Sequence, residues 1–166
     1  MTGIDAKDII LIKKEDKMGT ENQVHLKGDF RHEEIECGAM AITPGMLVAE
    51  DSSGELVAHA TEGGVAARMV AEVDALQGHT LTDDYADGNP VRIDVEHSGN
   101  ECQILLKAGE DVAIGDILIS AGDGTLIKEG SESSGVTIKD HIAIAREALN
   151  LSGSGEVDAL LHVMIL

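Results

Sequence analysis

Two short stretches of the sequence concentrate side chains that can bind a metal ion or transfer a proton. Residues 32–37 read His-Glu-Glu-Ile-Glu-Cys and offer imidazole, carboxylate and thiol groups, which are the common protein ligands of zinc. Residues 83–87 read Asp-Asp-Tyr-Ala-Asp and offer several oxygens to a hard cation. Because no second cluster completes a tetrahedral site, we interpret 32–37 as a polar loop that enters a strand. Because 83–87 lacks the long acidic loop of a dedicated calcium site, we interpret it as a solvated turn. We therefore predict no metal site.

Catalytic motifs are scarce in the rest of the chain. The sequence contains no Gly-x-Ser-x-Gly, no His-Glu-x-x-His, no phosphate-binding glycine loop and no pair of closely spaced cysteines. The two cysteines, Cys37 and Cys102, are far apart, which leaves a disulfide open but favours two buried thiols. We therefore predict a protein that is not an enzyme and has no catalytic residues and no cofactor.

The composition excludes several classes of partner. The net charge is −19, from 31 acidic and 12 basic residues, so a nucleic-acid backbone or an anionic membrane surface would be repelled. Phe30 and Tyr85 are the only aromatic residues, which leaves little for stacking on bases or planar cofactors. We predict no direct nucleic-acid partner and no membrane partner. The acidity also suits a host that lives in high salt.

The elements that must position these residues read as short strands separated by glycine turns. The segment 140–151 has good helix formers, but the alternation Ile-Ala-Ile-Ala within it favours a strand. The sequence predicts an all-β fold with these strands: 24–30, 46–50, 55–59, 68–73, 91–97, 102–107, 117–120, 125–128, 141–148 and 157–166.

One hairpin pattern occurs twice. Residues 45–57 (GMLVAEDSSGELV) and 115–127 (GDILISAGDGTLI) share the spacing of their glycines and end on the same apolar pair. We interpret them as parts of two related halves, about 36–78 and 107–153, although hairpins also look alike by chance. Because each copy is short for a core of its own, we expect both to pack into one small β-barrel or sandwich over 34–166.

Residues 1–33 lie outside this repeat. They contain an apolar run between charged residues, namely Ile9, Ile10, Leu11 and Ile12. One interpretation is an extended N-terminal arm that adds a strand to a neighbouring subunit or to a capsid protein. The other is an ordinary first strand of the barrel. We predict that this run forms the subunit or capsid interface.

Residues 108–118 (AGEDVAIGDIL) resemble the glycine turn of lipoyl and biotinyl carrier domains, which are pseudo-symmetric β-sandwiches. That resemblance implies an exposed lysine at a hairpin tip, where the cofactor is attached. The tips here, 51–54 and 121–124, contain no lysine. The missing lysine disfavours a carrier function. A carrier domain or small-ligand module is kept as the alternative function.

A longer succession of motifs resembles the capsid decoration, or cement, proteins of tailed phages, from about Gly38 to the C-terminus. The motifs are Ile42–Val48 (ITPGMLV), Asp51-x-x-Gly54, Ala71-Glu72 … Leu76-x-Gly78, Asp84-Tyr85-x-x-Gly88, Gly109 … Gly115-Asp-x-Leu118, Gly122-Asp-Gly124 and Ala145-x-Glu147-Ala148. The resemblance implies a β-barrel or "tulip"-like domain on the outer capsid surface, commonly as a trimer at three-fold or quasi-three-fold positions.

We therefore expect a structural virion protein, made in the host cytoplasm, that binds the major capsid protein and cements neighbouring subunits against the pressure of packaged DNA. A third class, a small hydrolase or sugar-active enzyme, lacks both a recognisable triad and aromatic platforms. A helical fold, or a deep cleft in which histidine and carboxylate side chains converge, would contradict the structural function.

Overall fold

The computed structural model describes residues 23–133, 135–136 and 139–166, and within these the chain is all-β, as predicted. The run Ile9–Ile12 and residues 1–22 of the predicted arm lie outside the described residues. The single helical element of the described part is a 3-10 turn, Ala75–Gln77. The strands are β1 (His25–Lys27), β2 (Arg31–Glu36), β3 (Leu47–Glu50), β4 (Leu56–Ala58), β5 (Met69–Ala71), β6 (Pro90–Val95), β7 (Glu101–Leu106), β8 (Asp111–Val112), β9 (Ile117–Ser120), β10 (Leu126–Lys128), β11 (Ala143–Ala145), β12 (Leu149–Asn150) and β13 (Ala159–Ile165).

Five strands form a first barrel in the spatial order β2-β6-β5-β3-β4. All four neighbouring pairs are antiparallel. A parallel bridge between Cys37 and Leu56 closes the ring, and the backbone N–H of Gly38 donates to the carbonyl of Leu56 at 2.8 Å.

Five further strands form a second barrel in the order β7-β13-β11-β9-β10. Its antiparallel pairs are likewise closed by a parallel contact, here between Leu126 of β10 and Leu106 of β7. The N–H of Lys107 donates to the carbonyl of Leu126 at 2.9 Å, as Gly38 does in the first barrel. Strand β1 pairs with the other end of β7, opposite Glu101 and Cys102.

The two barrels have one topology, because β2 to β6 correspond in order and direction to β7, β9, β10, β11 and β13. The ladder pair Ala71–Ile93 corresponds to Ala145–Val163. The two similar hairpins, β3–β4 and β9–β10, therefore lie in different barrels. The sequence analysis expected both hairpins in one barrel. In the structure each hairpin closes a barrel of its own with three flanking strands, which the comparison of the two hairpins did not include.

The predicted polar loop at 32–37 is wrong, because residues 31–36 form β2 and pair with β6 along its whole length. The sequence analysis missed this strand because its side chains are mostly charged. They are tolerated because the strand is exposed or half-exposed along its length. The segment 140–151 contains β11 and β12 and no helix.

Each barrel has its own apolar core, but the second core also takes residues from the first barrel. Leu47, Ala66 and Val70 are buried among the side chains of the second barrel. Their strand neighbours Val48 and Met69 point the other way, into the first core. One wall of the first barrel is therefore buried on both faces, which explains its continuous apolar sequence.

Polar contacts reinforce this contact between the barrels. The N–H of Leu47 donates to the carbonyl of Gly124 at 2.8 Å, and that of Gly63 donates to Ser120 at 2.9 Å. The guanidinium of Arg68 forms a bidentate ion pair with the carboxylate of Asp140. No helix in the described part of the chain is both long and apolar enough to cross a membrane.

Candidate functional site: a histidine and carboxylate cluster beside β1

Five ionisable side chains converge on the outer face of the first barrel, beneath β1. The register of β2 and β6 places His32 directly opposite Asp94, so both side chains point to the same face. Glu96 lies two residues beyond Asp94 and therefore shares that face. Glu72 follows β5, and β1 brings His25 over the group.

Two of the carboxylates are held by specific hydrogen bonds. Glu96 contacts Nδ1 of His25 through Oε1 at 2.9 Å and accepts a hydrogen bond from Nδ2 of Asn100 through Oε2 at 2.6 Å. Glu72 accepts the backbone N–H of His25 at 3.1 Å and that of Val73 at 2.8 Å. These bonds fix both carboxylates and attach β1 to the first barrel.

Asp94 is the exception in this cluster. It is fully buried, and neither of its carboxylate oxygens accepts a hydrogen bond. Nδ1 of His32 lies against Oδ1 of Asp94, but without hydrogen-bond geometry. Burial, together with the nearby charges of Glu72 and Glu96, raises the pKa of Asp94 to about 8, against the opposing effect of Arg92. Burying a carboxylate whose oxygens accept no hydrogen bond is costly, so Asp94 is an unfavourable group in this site.

The second histidine is oriented by its neighbours. Nη2 of Arg92 donates to Nε2 of His32 at 3.0 Å, which leaves Nδ1 to face Asp94. The ring of Phe30 lies 3.8 Å from that of His25 and 4.5 Å from that of His32, measured between centroids. Burial, with the charge of Arg92, lowers the pKa of His32.

These side chains, except that of Glu96, line a depression of about 400 Å³ that opens to solvent, together with Gln23 and Leu26. That volume falls in the range of small-molecule sites, and the lining combines ionisable with apolar side chains. The sequence analysis missed the site because its members lie between residues 25 and 96. The alternation of Arg92, Asp94 and Glu96 along β6, all facing one side, was the available signal.

The two clusters singled out from the sequence do not form as sets. His32 faces the depression, whereas Cys37 points into the first core and donates its S–H to the carbonyl of Met40. Cys37 and Cys102 are both free and buried, as favoured.

At 83–87 two acidic side chains accept hydrogen bonds, one from within the same loop and one from a distant residue. Asp83 accepts from the N–H and the hydroxyl of Thr80, both at 2.7 Å, and Asp84 accepts from the hydroxyl of Thr43 at 2.7 Å. Tyr85 is buried. The acidic side chains are exposed, as a solvated turn requires, whereas Tyr85 forms a bridge with Ile42.

One serine and histidine pair appears between the barrels. Nε2 of His59 donates to the carbonyl of Val65 at 3.1 Å, which leaves Nδ1 to accept the hydroxyl of Ser120 at 2.8 Å. Both residues are buried, Ser120 completely. Because substrate could not reach the hydroxyl, the pair joins the barrels and is not arranged as a nucleophile and base.

No protein-family model matches this sequence, and no curated protein matches it. In fold, the chain is similar to the N base of the head fiber protein gp8.5 of bacteriophage phi29, as seen in its crystal structure, with a TM-score of 0.50 and 14% sequence identity. The match covers 83% of this chain and 95% of the phage chain. The similarity thus extends over both barrels and is a similarity of fold.

Proposed function

We propose that this protein is a structural, non-enzymatic component of a phage-like virion, which binds the outer capsid surface as a trimer and cements neighbouring subunits of the major capsid protein. The observation that carries the proposal is the fold similarity to a phage head fiber base over 95% of that chain. The order of turn motifs from Gly38 onward, which resembles that of capsid decoration proteins, supports it independently.

The architecture suits this function. The barrels share one buried wall, formed by Leu47, Ala66 and Val70, and several polar contacts, so the described part can transmit load as one body. A cementing protein needs contact area, of the order of 1,600 Å² for each stable interface, and trimers multiply weak contacts. The acidic surface would also keep virions from associating with one another.

The carrier alternative receives less support from the hairpin tips. A carrier must present its modified residue at a free tip, but the tip at 121–124 packs against the first barrel. A Cβ on Gly122 would lie 2.8 Å from the backbone nitrogen of Glu62. The tip at 51–54 is exposed but lacks lysine.

The converging histidines and carboxylates are the feature that an enzyme would need. We nevertheless favour a structural function, because Glu72 and Glu96 are already engaged in bonds that attach β1. Glu96 and Asp94 are moreover buried. We therefore interpret this cluster as a structural contact that holds β1 against the first barrel.

The test combines oligomeric state with binding to capsids. Light scattering coupled to gel filtration should give three chains per particle, or a monomer that becomes three-fold arranged when cryo-electron microscopy views it on capsid shells. Shells saturated with the protein should resist osmotic shock better than bare shells. A stable monomer that neither binds nor protects shells assembled from the major capsid protein of the same virus would refute the proposal.

A variant pair tests the predicted interface at the apolar run. Replacing Ile10 and Leu11 by glutamate should abolish trimer formation or capsid binding, since charge is costly in an apolar interface. The matched control replaces Leu76 and Val157 by glutamate. Both residues are exposed on the described part, so trimer formation and capsid binding should stay unchanged. Equal loss in the two double variants would contradict an interface at residues 9–12.

A further inference from the structure

The cluster beside β1 carries more negative charge than its surroundings balance. Carboxylates Glu72, Asp94 and Glu96 lie together, and the charges of Glu72 and Glu96 both disfavour the ionised form of Asp94. Arg92 is the cation that opposes them, and it is already bonded to His32. Clustered carboxylates of this kind are stabilised by protonation or by a bound cation.

The arrangement of ligand atoms fits one metal ion. One atom each from His25, Asp94 and Glu96 lie within 4.8 Å of one another, and the two carboxylates are buried. Asp94 belongs to the lining of the depression, and neither of its oxygens has a hydrogen-bond partner, although Nδ1 of His32 lies against Oδ1. This orphaned carboxylate is the second, independent sign of a missing ligand, because buried polar groups nearly always have partners.

The second barrel serves as an internal comparison. At the place that corresponds to Asp94 it has Met164, which pairs with Glu101 across the ladder as Asp94 pairs with its own partner on β2. Glu101 is balanced there by His162 at 3.2 Å and by Arg146 at 3.5 Å. The second barrel thus has a neutral side chain where the first has Asp94, and its nearby carboxylate, Glu101, has two cationic or histidine partners.

We propose that His25, Asp94 and Glu96 bind one divalent transition-metal ion, with Zn²⁺ as the best candidate and Mn²⁺ as the next. An imidazole nitrogen together with carboxylate oxygens selects such metals over Mg²⁺ and Ca²⁺, which prefer oxygen-only sites. The contact between Nδ1 of His25 and Glu96 is replaced by a bond from each to the metal. The open side of the depression leaves room for water to complete the coordination.

Such an ion would act as a structural clasp. His25 lies on β1, which pairs with the second barrel, whereas Asp94 and Glu96 lie on or directly after β6 of the first barrel. The ion would therefore tie the segment that follows residue 22 to both barrels. This inference does not depend on the proposed virion function.

The direct test is metal binding by the purified protein after dialysis against a chelator. Titration calorimetry with Zn²⁺ should show one ion per chain, and Co²⁺ should give visible absorption bands that Zn²⁺ abolishes. Saturating Zn²⁺ at 100 times its dissociation constant should stabilise the fold by about 2.7 kcal/mol. Absence of stoichiometric Zn²⁺ or Co²⁺ binding would overturn the inference.

Variants assign the site. His25→Gln and Asp94→Asn should each weaken Zn²⁺ binding by roughly 100-fold or more, since even outer-sphere changes cost about 10- to 100-fold. Asp94→Asn should leave the metal-free protein folded, because it removes a buried charge and keeps the side-chain shape. Should it fail to fold, Glu96→Gln takes its place.

The matched control is His141→Gln, which breaks a comparable contact, 3.2 Å between Nε2 of His141 and Glu129 on the surface. Its Zn²⁺ affinity should stay within about twofold of that of the unmodified protein. Equal weakening by His141→Gln and His25→Gln, or unchanged binding in Asp94→Asn, would show surface histidine binding and refute the assigned site.

Discussion

The contact between the barrels can be tested by substituting two glycines that share a backbone conformation. One lies in open space and the other lies against the neighbouring barrel. Gly54 and Gly122 lie in the corresponding β3–β4 and β9–β10 hairpin turns, with φ angles of +82° and +81°. A Cβ at Gly54 would meet nothing within 4 Å, whereas one at Gly122 would lie 2.8 Å from the backbone nitrogen of Glu62. The pair Gly54→Ala and Gly122→Ala therefore separates backbone strain from contact between the barrels.

The expected magnitudes follow from these two terms. Alanine in a left-handed conformation costs about 1–2 kcal/mol at either position. At Gly122 the clash is with backbone, which cannot rotate away, so overpacking adds about 1–3 kcal/mol. Gly122→Ala should lower the free energy of unfolding by about 2–5 kcal/mol, and Gly54→Ala by about 1–2 kcal/mol. For a chain of this size each kcal/mol lowers Tm by about 2–4 °C.

The assay uses the single tyrosine as a reporter of the first barrel. The chain has no tryptophan, and Tyr85 is buried in the first core, whereas Gly122 belongs to the second barrel. Urea unfolding is followed by tyrosine fluorescence and, in parallel, by far-ultraviolet circular dichroism for the whole chain. Because the barrels share a wall, Gly122→Ala should shift both midpoints by the same amount.

Two results would refute this reasoning. The first is a difference between Gly122→Ala and Gly54→Ala of less than about 0.5 kcal/mol, which would mean that the hairpin does not dock against Glu62. The second is a tyrosine transition that stays in place while the dichroism midpoint falls, which would mean that the barrels unfold independently.

Two further predictions concern buried polar groups. Ser120→Ala should cost about 1–3 kcal/mol in urea unfolding, because it leaves Nδ1 of His59 buried without its donor; a loss below about 0.3 kcal/mol would contradict the bond. Burial, with the charges of Asp74 and Glu72, raises the pKa of Tyr85 to about 12 from an ordinary value of 10, so the folded state holds its proton more tightly. The stability this confers is complete below about pH 10 and is lost as pH rises toward 12, and the loss between pH 10 and 11.5 should be smaller in Tyr85→Phe; equal losses would contradict it.

The sequence predicted the fold class well because local signals determine it. Alternation along residues 91–97 and the turn chemistry of 51–54 and 121–124 gave strands and hairpins that the structure contains. Strand β2 was missed because its side chains are charged on both faces. The division into two barrels was missed because closure depends on single parallel contacts, such as Cys37 with Leu56, between residues distant in sequence.

The candidate site could not be found from spacing alone. His25 contacts Glu96 of the first barrel although its own strand, β1, pairs with β7 of the second barrel. No local sequence pattern predicts this long-range pairing. The cluster proposed and set aside at 32–37 contained one true member, His32. Strand alternation separates it from Cys37, because residues an odd number apart point to opposite faces.

The duplication also explains why the two barrels are not interchangeable. A barrel of about 65 residues buries too little surface to be robust by itself, and here the second core is completed by Leu47, Ala66 and Val70 of the first barrel. The first barrel therefore supplies one wall to its partner and must place its polar groups elsewhere. The face next to that wall, on β6, carries Asp94 where the second barrel has Met164. One copy of the fold is thus specialised for packing, and the other keeps a charged face beside β1.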